Sequence, residues 1–348
     1  MADSGVLARP GGRDHAYDHA LAPPGPVGLS RVAVSVPRRT EAVDDVLARR
    51  GCGPLERRMF AKVYGLRDSP ALAEGEQLED LLVRAGRTAL EGGPADLILY
   101  GHTLLMPEPD VAGEFSERLR ERLGLPGSDF YGVSHVNCVS VLRSVELARR
   151  YLYRPGADPE ERVLVLGGDQ GSANNDLDRY IAGTTVTGDC AVALMVQRAE
   201  GRHRHRYRYR YLAGASSRDT RFYATSKMSR EAAGLFQKLC SEQAVQTLDR
   251  AARAAGLSMD RLDWVMLHFS NLMFTRAFSS HSGIPKDRIC MDLLPERGHN
   301  FGADALMALE HADGAGRLRP GDRCALVAIG LGAYFQATIA EVVEDGRA

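Results

Sequence analysis

An α/β protein with strands buried on both faces is what this sequence predicts, and three observations predict it. Short β-branched or Leu/Val-rich runs alternate with amphipathic helical stretches from about Val27 onward, the rhythm of strands covered by crossover helices. Strand, helix, strand, then helix and a closing pair of strands recur in both halves, which suggests a duplication. With 348 residues, 44% of them apolar, the chain can bury a large core.

The elements follow in order. Residues 1–26, rich in Gly, Pro and Asp and lacking the apolar segment of a secretion signal, read as a disordered lead-in. Strands are predicted at RVAVSV from Arg31, DLILYG from Asp96, RVLVLGG from Arg162 and CAVALMV from Cys190. After RHRHRYRYRYLAG come DWVMLHF from Asp263, CALVAIG from Cys324 and YFQATIAEV from Tyr334. Between them EQLEDLLVRAGRTALE, EFSERLRERLG and CSEQAVQTLDRAARAAG carry apolar residues at three- and four-residue spacing with charges opposite, so they are helices. The last ends at Gly256, a C′ residue free to adopt positive φ. The halves divide near Gly201, giving 27–200 and 201–348.

Composition excludes several functions. The 44 basic and 45 acidic residues nearly cancel, so no global field recruits nucleic acid or a membrane surface. The longest apolar runs fall well short of the ~20 residues that span a bilayer, and the expected location is the cytoplasm. Six cysteines (Cys52, Cys138, Cys190, Cys240, Cys290 and Cys324) lack C-x-x-C spacing, which points to free thiols rather than disulfides or a zinc site.

One cysteine stands out. A helix beginning at Cys138 would place Val141, Leu142, Val145, Ala148 and Leu152 on one face, with Arg143, Glu146 and Arg150 off it and Glu146 able to pair with Arg150. The thiol would then meet the unpaired N–H groups of a helix start, which favour the thiolate that attacks carbonyl carbon. Taken alone, Cys138 reads as one more small buried hydrophobe; a nucleophile needs partners. His268, at the end of DWVMLHF and three residues before Asn271, is placed to reach a crevice and exchange a proton near pH 7. His299 and Asn300 lie between glycines before an apolar helix, where either side chain could enter a cavity or simply decorate a turn. Gly330-Leu331-Gly332 allows backbone N–H groups to approach a reacting oxygen, although a plain hairpin fits as well.

Taken in order, these segments resemble the β-ketoacyl-ACP synthase III branch of the thiolase superfamily, over about Pro26 to Val343. HVNCVSVLRSVELARRYL is similar to that family's nucleophile segment, RVLVLGGD to the strand after it and TGDCAVALMV to its Gly-Asp-Gly-Ala-Gly strand. DWVMLHFSN is similar to its His-x-x-Asn motif, GHNFGADALMAL to its Gly-Asn-Thr-Ser-Ala-Ala segment, and GRLRPGDRCALVAIGLGAYF to its Gly-rich end. The resemblance implies a thiolase-like five-layered α-β-α-β-α fold built from two duplicated halves, with the site at their junction, and a homodimer. It implies an acyl thioester on Cys138, delivered by acyl-CoA or acyl carrier protein, with no cofactor beyond that CoA or phosphopantetheine thioester. By the same analogy the oxyanion donors are the amides of Cys138 and Leu331, and His268 assists transfer to a malonyl-type thioester.

The departures bear on the reaction. Asn137-Cys138-Val139-Ser140 replaces the family's small residues, and Arg143 and Glu146 stand where its helix is more apolar. The family's catalytic Asn falls on His299 without a gap or on Asn300 with a shift of one. Asp304 joins the candidates, because some members that transfer acyl groups without condensation use an acidic residue there. Two further readings therefore stand beside condensation: acyl transfer to a hydroxyl or amine of a small metabolite, and an inactive partner of a heterodimer.

RHRHRYRYRYL places Arg202, Arg204, Arg206, Arg208 and Arg210 on one face of a strand and His203, His205, Tyr207, Tyr209 and Tyr211 on the other. A solvated face is the favoured reading, docking of an acidic carrier the next, and nucleic acid the last, because the total charge is neutral.

Overall fold

The computed structural model describes residues 25–104, 113–173, 179–200, 207–224 and 227–344. The first half runs β1 (Val27–Leu29), β2 (Ala33–Ser35), β3 (Arg39–Ala42), α1 (Val43–Arg49), α2 (Pro54–Met59), β4 (Asp68–Ala71), α3 (Leu78–Leu90) and β5 (Leu97–Gly101). It continues through α4 (Glu114–Leu123), β6 (Asp129–Val133), α5 (Ser140–Leu152), β7 (Arg162–Gln170), β8 (Tyr180–Ile181), β9 (Thr185–Val186) and β10 (Asp189–Arg198). The second half runs β11 (Tyr209–Arg218), α6 (Arg230–Ala254), β12 (Trp264–Leu267), α7 (Leu272–Ser282), β13 (Ile289–Cys290), α8 (Leu294–Arg297), α9 (Asp304–Gly314), β14 (Arg323–Gly330) and β15 (Tyr334–Val342).

The pairing repeats between halves. β6, β5 and β7 run parallel and β7 meets β10 antiparallel; β13, β12 and β14 run parallel and β14 meets β15 antiparallel. β1 joins the two sets by pairing with both β10 and β11. Central strands are apolar on both faces, and successive residues enter different cores. Val163 and Val165 of β7 face a core shared with α5 and α9, whereas Leu164 and Leu166 face one covered by α3 and α4. In β14, Leu326 and Ala328 join the α5/α9 core, and Val327 and Ile329 join a third core covered by α6 and α7. Three cores separate five layers, α-β-α-β-α, as the resemblance implied. The expected apolar face of α5 (Val141, Leu142, Val145, Ala148 and Leu152) lies in the middle core, and Glu146 pairs with both Arg149 and Arg150.

Three expectations need correction. The strand expected at RVAVSV from Arg31 shortens to β2, and an unexpected strand, β1, precedes it beyond Ser30, whose N–H donates to the Met195 carbonyl while its Oγ accepts from the Met195 N–H. The helix expected from Cys240 begins ten residues earlier, capped by Ser229 through the Ala232 N–H; Leu235 is exposed on these early turns, so they carry no clean apolar stripe. Gly256 ends that helix with φ 73°, as its C′ role requires.

The third concerns the arginine ladder. Arg202, Arg204 and Arg206, with His203 and His205, lie outside the described residues. Arg210 is exposed and pairs with Glu341 across β15. Arg208 precedes the strand and is buried, donating to both Asp313 oxygens and to the carbonyls of Leu318 and Val343. Asp313 also accepts from Tyr209 Oη and Arg31. Arg208 is therefore a staple between β11, α9 and the end of β15, not part of a solvated face. Replacing Asp313 by Ala strands this buried cation and should cost about 3 kcal/mol in urea unfolding, while the double change Arg208→Met, Asp313→Leu should recover most of that loss.

Candidate active site

The segment before α5 is bent to present a sulfur. After β6 the chain passes through left-handed conformations at His135 (φ 63°) and Asn137 (φ 53°), each a cost of order 1 kcal/mol or more for a residue with a Cβ. Asn137–Val139 form a 3-10 turn, so the α-helix starts at Ser140, two residues later than expected, and Cys138 sits in the turn leading into it. The β14 end holds this turn in place. A Cβ on Gly330 would lie 2.5 Å from the Val136 oxygen and 3.2 Å from the Cys138 amide nitrogen, so only glycine permits the approach. The Gly330-Leu331-Gly332 turn therefore abuts the amide of Cys138.

Opposite the sulfur lies the loop before α9. His299 is clamped by backbone bonds to Val186 and Gly188, and the next residue but one, Phe301, is left-handed (φ 53°). His299 Nε2 stands 3.5 Å from Cys138 Sγ, and Nδ1 2.6 Å from Asp304 Oδ2. Asp304, the first residue of α9, also accepts the N–H of Phe269 at 2.8 Å and of Asn300 at 2.7 Å. Cysteine, imidazole and carboxylate thus stand in line, the arrangement in which a base activates a nucleophile and a third group orients the base. Burial disfavours charge on His299, but the Asp304 carboxylate and the Cys138 sulfur outweigh it and push the imidazole up to about 10.

His268 follows β12 and packs against His299, ring centroids 4.3 Å apart. Its Nδ1 is 3.7 Å from Asp304 Oδ2 and has no hydrogen-bond partner among the described residues. Burial and the charge on His299 push it down to about 3 against the pull of Asp304, so it is neutral. Two adjacent histidines therefore hold opposite protonation states around one carboxylate.

Among the remaining candidates, Asn300 turns its amide away, donating to the carbonyls of Arg297 and Gly298. Asn271 caps α7 and ties it to Thr184. Sequence reasoning missed Asp169, the penultimate residue of β7, which accepts the N–H groups of Thr103 and Leu104; burial pushes its carboxyl up to about 7. An acidic residue closing the otherwise apolar RVLVLGG run was the signal. Ligand-type atoms of His268, His299 and Asp304 lie within 4.8 Å of one another, but the 2.6 Å Nδ1–Oδ2 contact is a hydrogen bond, shorter than the spacing of two ligands around one ion. No helix among the described residues is long and apolar enough to cross a membrane.

Comparison with known proteins gives the setting. Residues 252–342 match the family model described as 3-oxoacyl-[acyl-carrier-protein] synthase III C terminal. The chain is 26% identical over 303 residues to a β-ketoacyl-[acyl-carrier-protein] synthase III of Ruegeria sp. (strain TM1040), covering 82% of this chain and 87% of that protein. Among solved structures, the 3-oxoacyl-(acyl carrier protein) synthase III FabH of Pseudomonas aeruginosa PAO1 superposes with TM-score 0.75 and 20% identity, covering 91% of this chain and 98% of that one. The acyltransferase ChlB3 superposes with TM-score 0.76 and 16% identity, covering 92% and 98%. Both superpositions establish a shared fold.

Two outcomes follow from the geometry. Gly330→Ala should slow covalent labelling of Cys138 by a thioester at least tenfold, read by intact mass, because backbone atoms rather than a flexible side chain oppose the new Cβ. His299 is raised from 6.5 to about 10, so its stabilisation is complete below pH 6.5 and disappears as pH climbs through about 10. Thermal midpoints should consequently fall more steeply from pH 7 to 10 in the native protein than in His299→Gln.

Proposed function

We propose that the chain is a β-ketoacyl-ACP synthase III-like enzyme of the thiolase superfamily and that it transfers acyl groups without condensation, from a CoA or carrier-protein thioester through Cys138 to a hydroxyl or amine. One observation carries this reading: His299 bridges Cys138 Sγ at 3.5 Å and Asp304 Oδ2 at 2.6 Å, at the position where the family's catalytic Asn falls in an ungapped alignment. An asparagine amide donates a hydrogen bond to a carbonyl, which suits enolate stabilisation. An imidazole held by a carboxylate moves protons, which suits attack by a thiol and then by an O–H or N–H nucleophile.

In this scheme the Cys138 thiolate attacks the thioester carbonyl, and the amides of Cys138 and Leu331 receive the developing oxyanion. The tetrahedral intermediate collapses, the bond to the carrier sulfur breaks, and His299 gives its proton to the leaving thiolate. The acyl-enzyme then awaits the acceptor. The thioester is a substrate, and no resident cofactor enters the cycle. A homodimer is part of the same proposal, by analogy with the family.

The test is direct. A panel of acyl-CoA donors should leave an acyl mass on Cys138 and none on Cys138→Ala. With a malonyl thioester as acceptor, carbon dioxide release should stay at background while amines or alcohols are acylated. His299→Asn should lower that transfer by ~10² or more, the usual worth of a general base. Stoichiometric carbon dioxide release with a 3-oxoacyl product would restore condensation, and absence of any adduct would favour an inactive partner subunit.

A further inference from the structure

The acylation scheme leaves one buried acid unused. Along β7, Val163 and Val165 face the middle core, so Gly167 and Asp169, at the same two-residue spacing, face it too. A Cβ on Gly167 would meet the Val141 side chain at 2.6 Å, and α5, which connects the parallel strands β6 and β7, runs back against them from their C-terminal ends. Asp169, 4% exposed, is therefore the next residue on that face toward the turn that carries Cys138. The pairing of β5 with β7 stops at Gly101, opposite Gly167. Beyond it the chain leaves the ladder, and Asp169 Oδ1 accepts the N–H groups of Thr103 at 2.8 Å and Leu104 at 2.7 Å. His102 Nδ1 closes the same turn by donating to the Leu104 carbonyl at 2.8 Å.

We propose that Asp169 is a positioning residue for the nucleophile: by holding Thr103 and Leu104 it stops β5 at Gly101 and seats the first turn of α5, and with it Cys138. The seat is backbone against backbone. A Cβ on Gly101 would lie 2.9 Å from both N and Cα of Val141 and 3.0 Å from the Ser140 carbonyl carbon, so the place where β5 ends fixes the place where α5 begins. The inference rests on Cys138 as the reactive thiol of the reading above and is independent of the acceptor that thiol serves.

A chain reversal alone needs only a neutral acceptor, and this one is an acid in a dry place. Burial pushes its carboxyl up to about 7, against the two amides and the charge on His299. A carboxyl raised in the fold opposes folding as pH climbs from its unfolded value of about 3.9 toward 7. The fold thus keeps, at some loss of stability, a group that an asparagine could replace as an acceptor. What the acid adds is charge. Ionised, it holds N–H groups more strongly than a neutral oxygen does, and its charge and that of His299 favour each other. The other titratable groups facing it are the thiol of Cys190, its register partner on β10, and the phenol of Tyr100 on β5. Burial pushes both up, so they stay neutral, and α5 meets this face through Ser140 and Val141, which carry no charge. The grip on the end of β5 therefore tightens as pH rises through about 7.

Alkylation tests the seat without requiring any acyl transfer. The native protein, Asp169→Asn and Asp169→Ala are treated with iodoacetamide between about pH 5.5 and 8.5, and the modified Cys138 peptide is followed by mass, with thermal unfolding measured alongside. Asp169→Asn keeps an oxygen for both N–H groups and does not ionise. It should match the native protein within about twofold below pH 6 and fall about threefold or more behind it above pH 8. Asp169→Ala keeps no acceptor and should be about tenfold or more slower at every pH, with faster hydrogen exchange at the Thr103 and Leu104 amides. Where Asp169→Ala fails to fold, the ratio of native to Asp169→Asn rates decides alone. A ratio that stays flat across the pH range, or Asp169→Ala labelled at the native rate, overturns the proposal. Acetyl-CoA separates it from the reading beneath it: no acetyl mass on native Cys138, with the alkylation ratio moving as expected, removes acyl transfer and leaves the seat standing.

Discussion

A buried carboxylate at the start of α9 organises the site. Asp304 accepts two backbone N–H groups and a histidine N–H, and an ionised acceptor inside a protein is tolerated only with such a set of donors. Phe269, one of those donors, follows β12, and Asn300 belongs to the loop before α9. The carboxylate therefore fixes the β12 end against the α9 start and, through His299, fixes that loop against the nucleophile turn of the other half. His268 is carried on the same β12 end, so its distance to Asp304 is set by the Phe269 bond one residue away.

The duplication explains why the site can be assembled at all. Equivalent parallel strands of the two halves end near the middle layer, where the turns that precede α5 and α9 lie against each other. Each turn contains a left-handed non-glycine residue next to a catalytic candidate, Asn137 beside Cys138 and Phe301 two positions from His299. Strain of this kind persists only where the surroundings over-determine it, and here the surroundings are tightly packed backbone. Gly330 meets the Val136 carbonyl, and a Cβ on Gly302 would approach the Cys138 carbonyl at 3.3 Å. Stability in the three apolar cores is thus coupled to the precision of one sulfur-to-nitrogen distance.

Much of this was legible in the sequence, and the rest failed for identifiable reasons. The strands at Arg162, Cys190 and Cys324 announce themselves because both of their faces are buried, so apolar residues run without interruption. Cys138 and His268 were legible because each stands at the end of a periodic segment. The choice between His299 and Asn300 was not, since adjacent polar residues in a Gly-rich loop differ only in where the backbone aims them, and that is set by φ at Gly298 and Phe301. Arg208 misled for a related reason: alternation predicts a common face only while the strand lasts, and the strand begins at Tyr209. Asp304 was visible as a residue type, but its role depends on the Phe269 amide, thirty-five positions earlier.

Opposite protonation of the two adjacent histidines follows from this cradle. One carboxylate oxygen in direct contact with one imidazole compensates its charge, while the second ring, 3.7 Å away and also buried, gains too little to overcome desolvation and the repulsion of its neighbour. The resting site therefore holds one proton beyond those of two neutral rings, and it sits on His299. A condensing site gains nothing from that competition, because its task is to offer hydrogen bonds to an enolate oxygen. Under the proposed transfer to a hydroxyl or amine, the proton held on His299 is available to the leaving thiol. Asparagine at position 299 would remove the competition while keeping a donor in place.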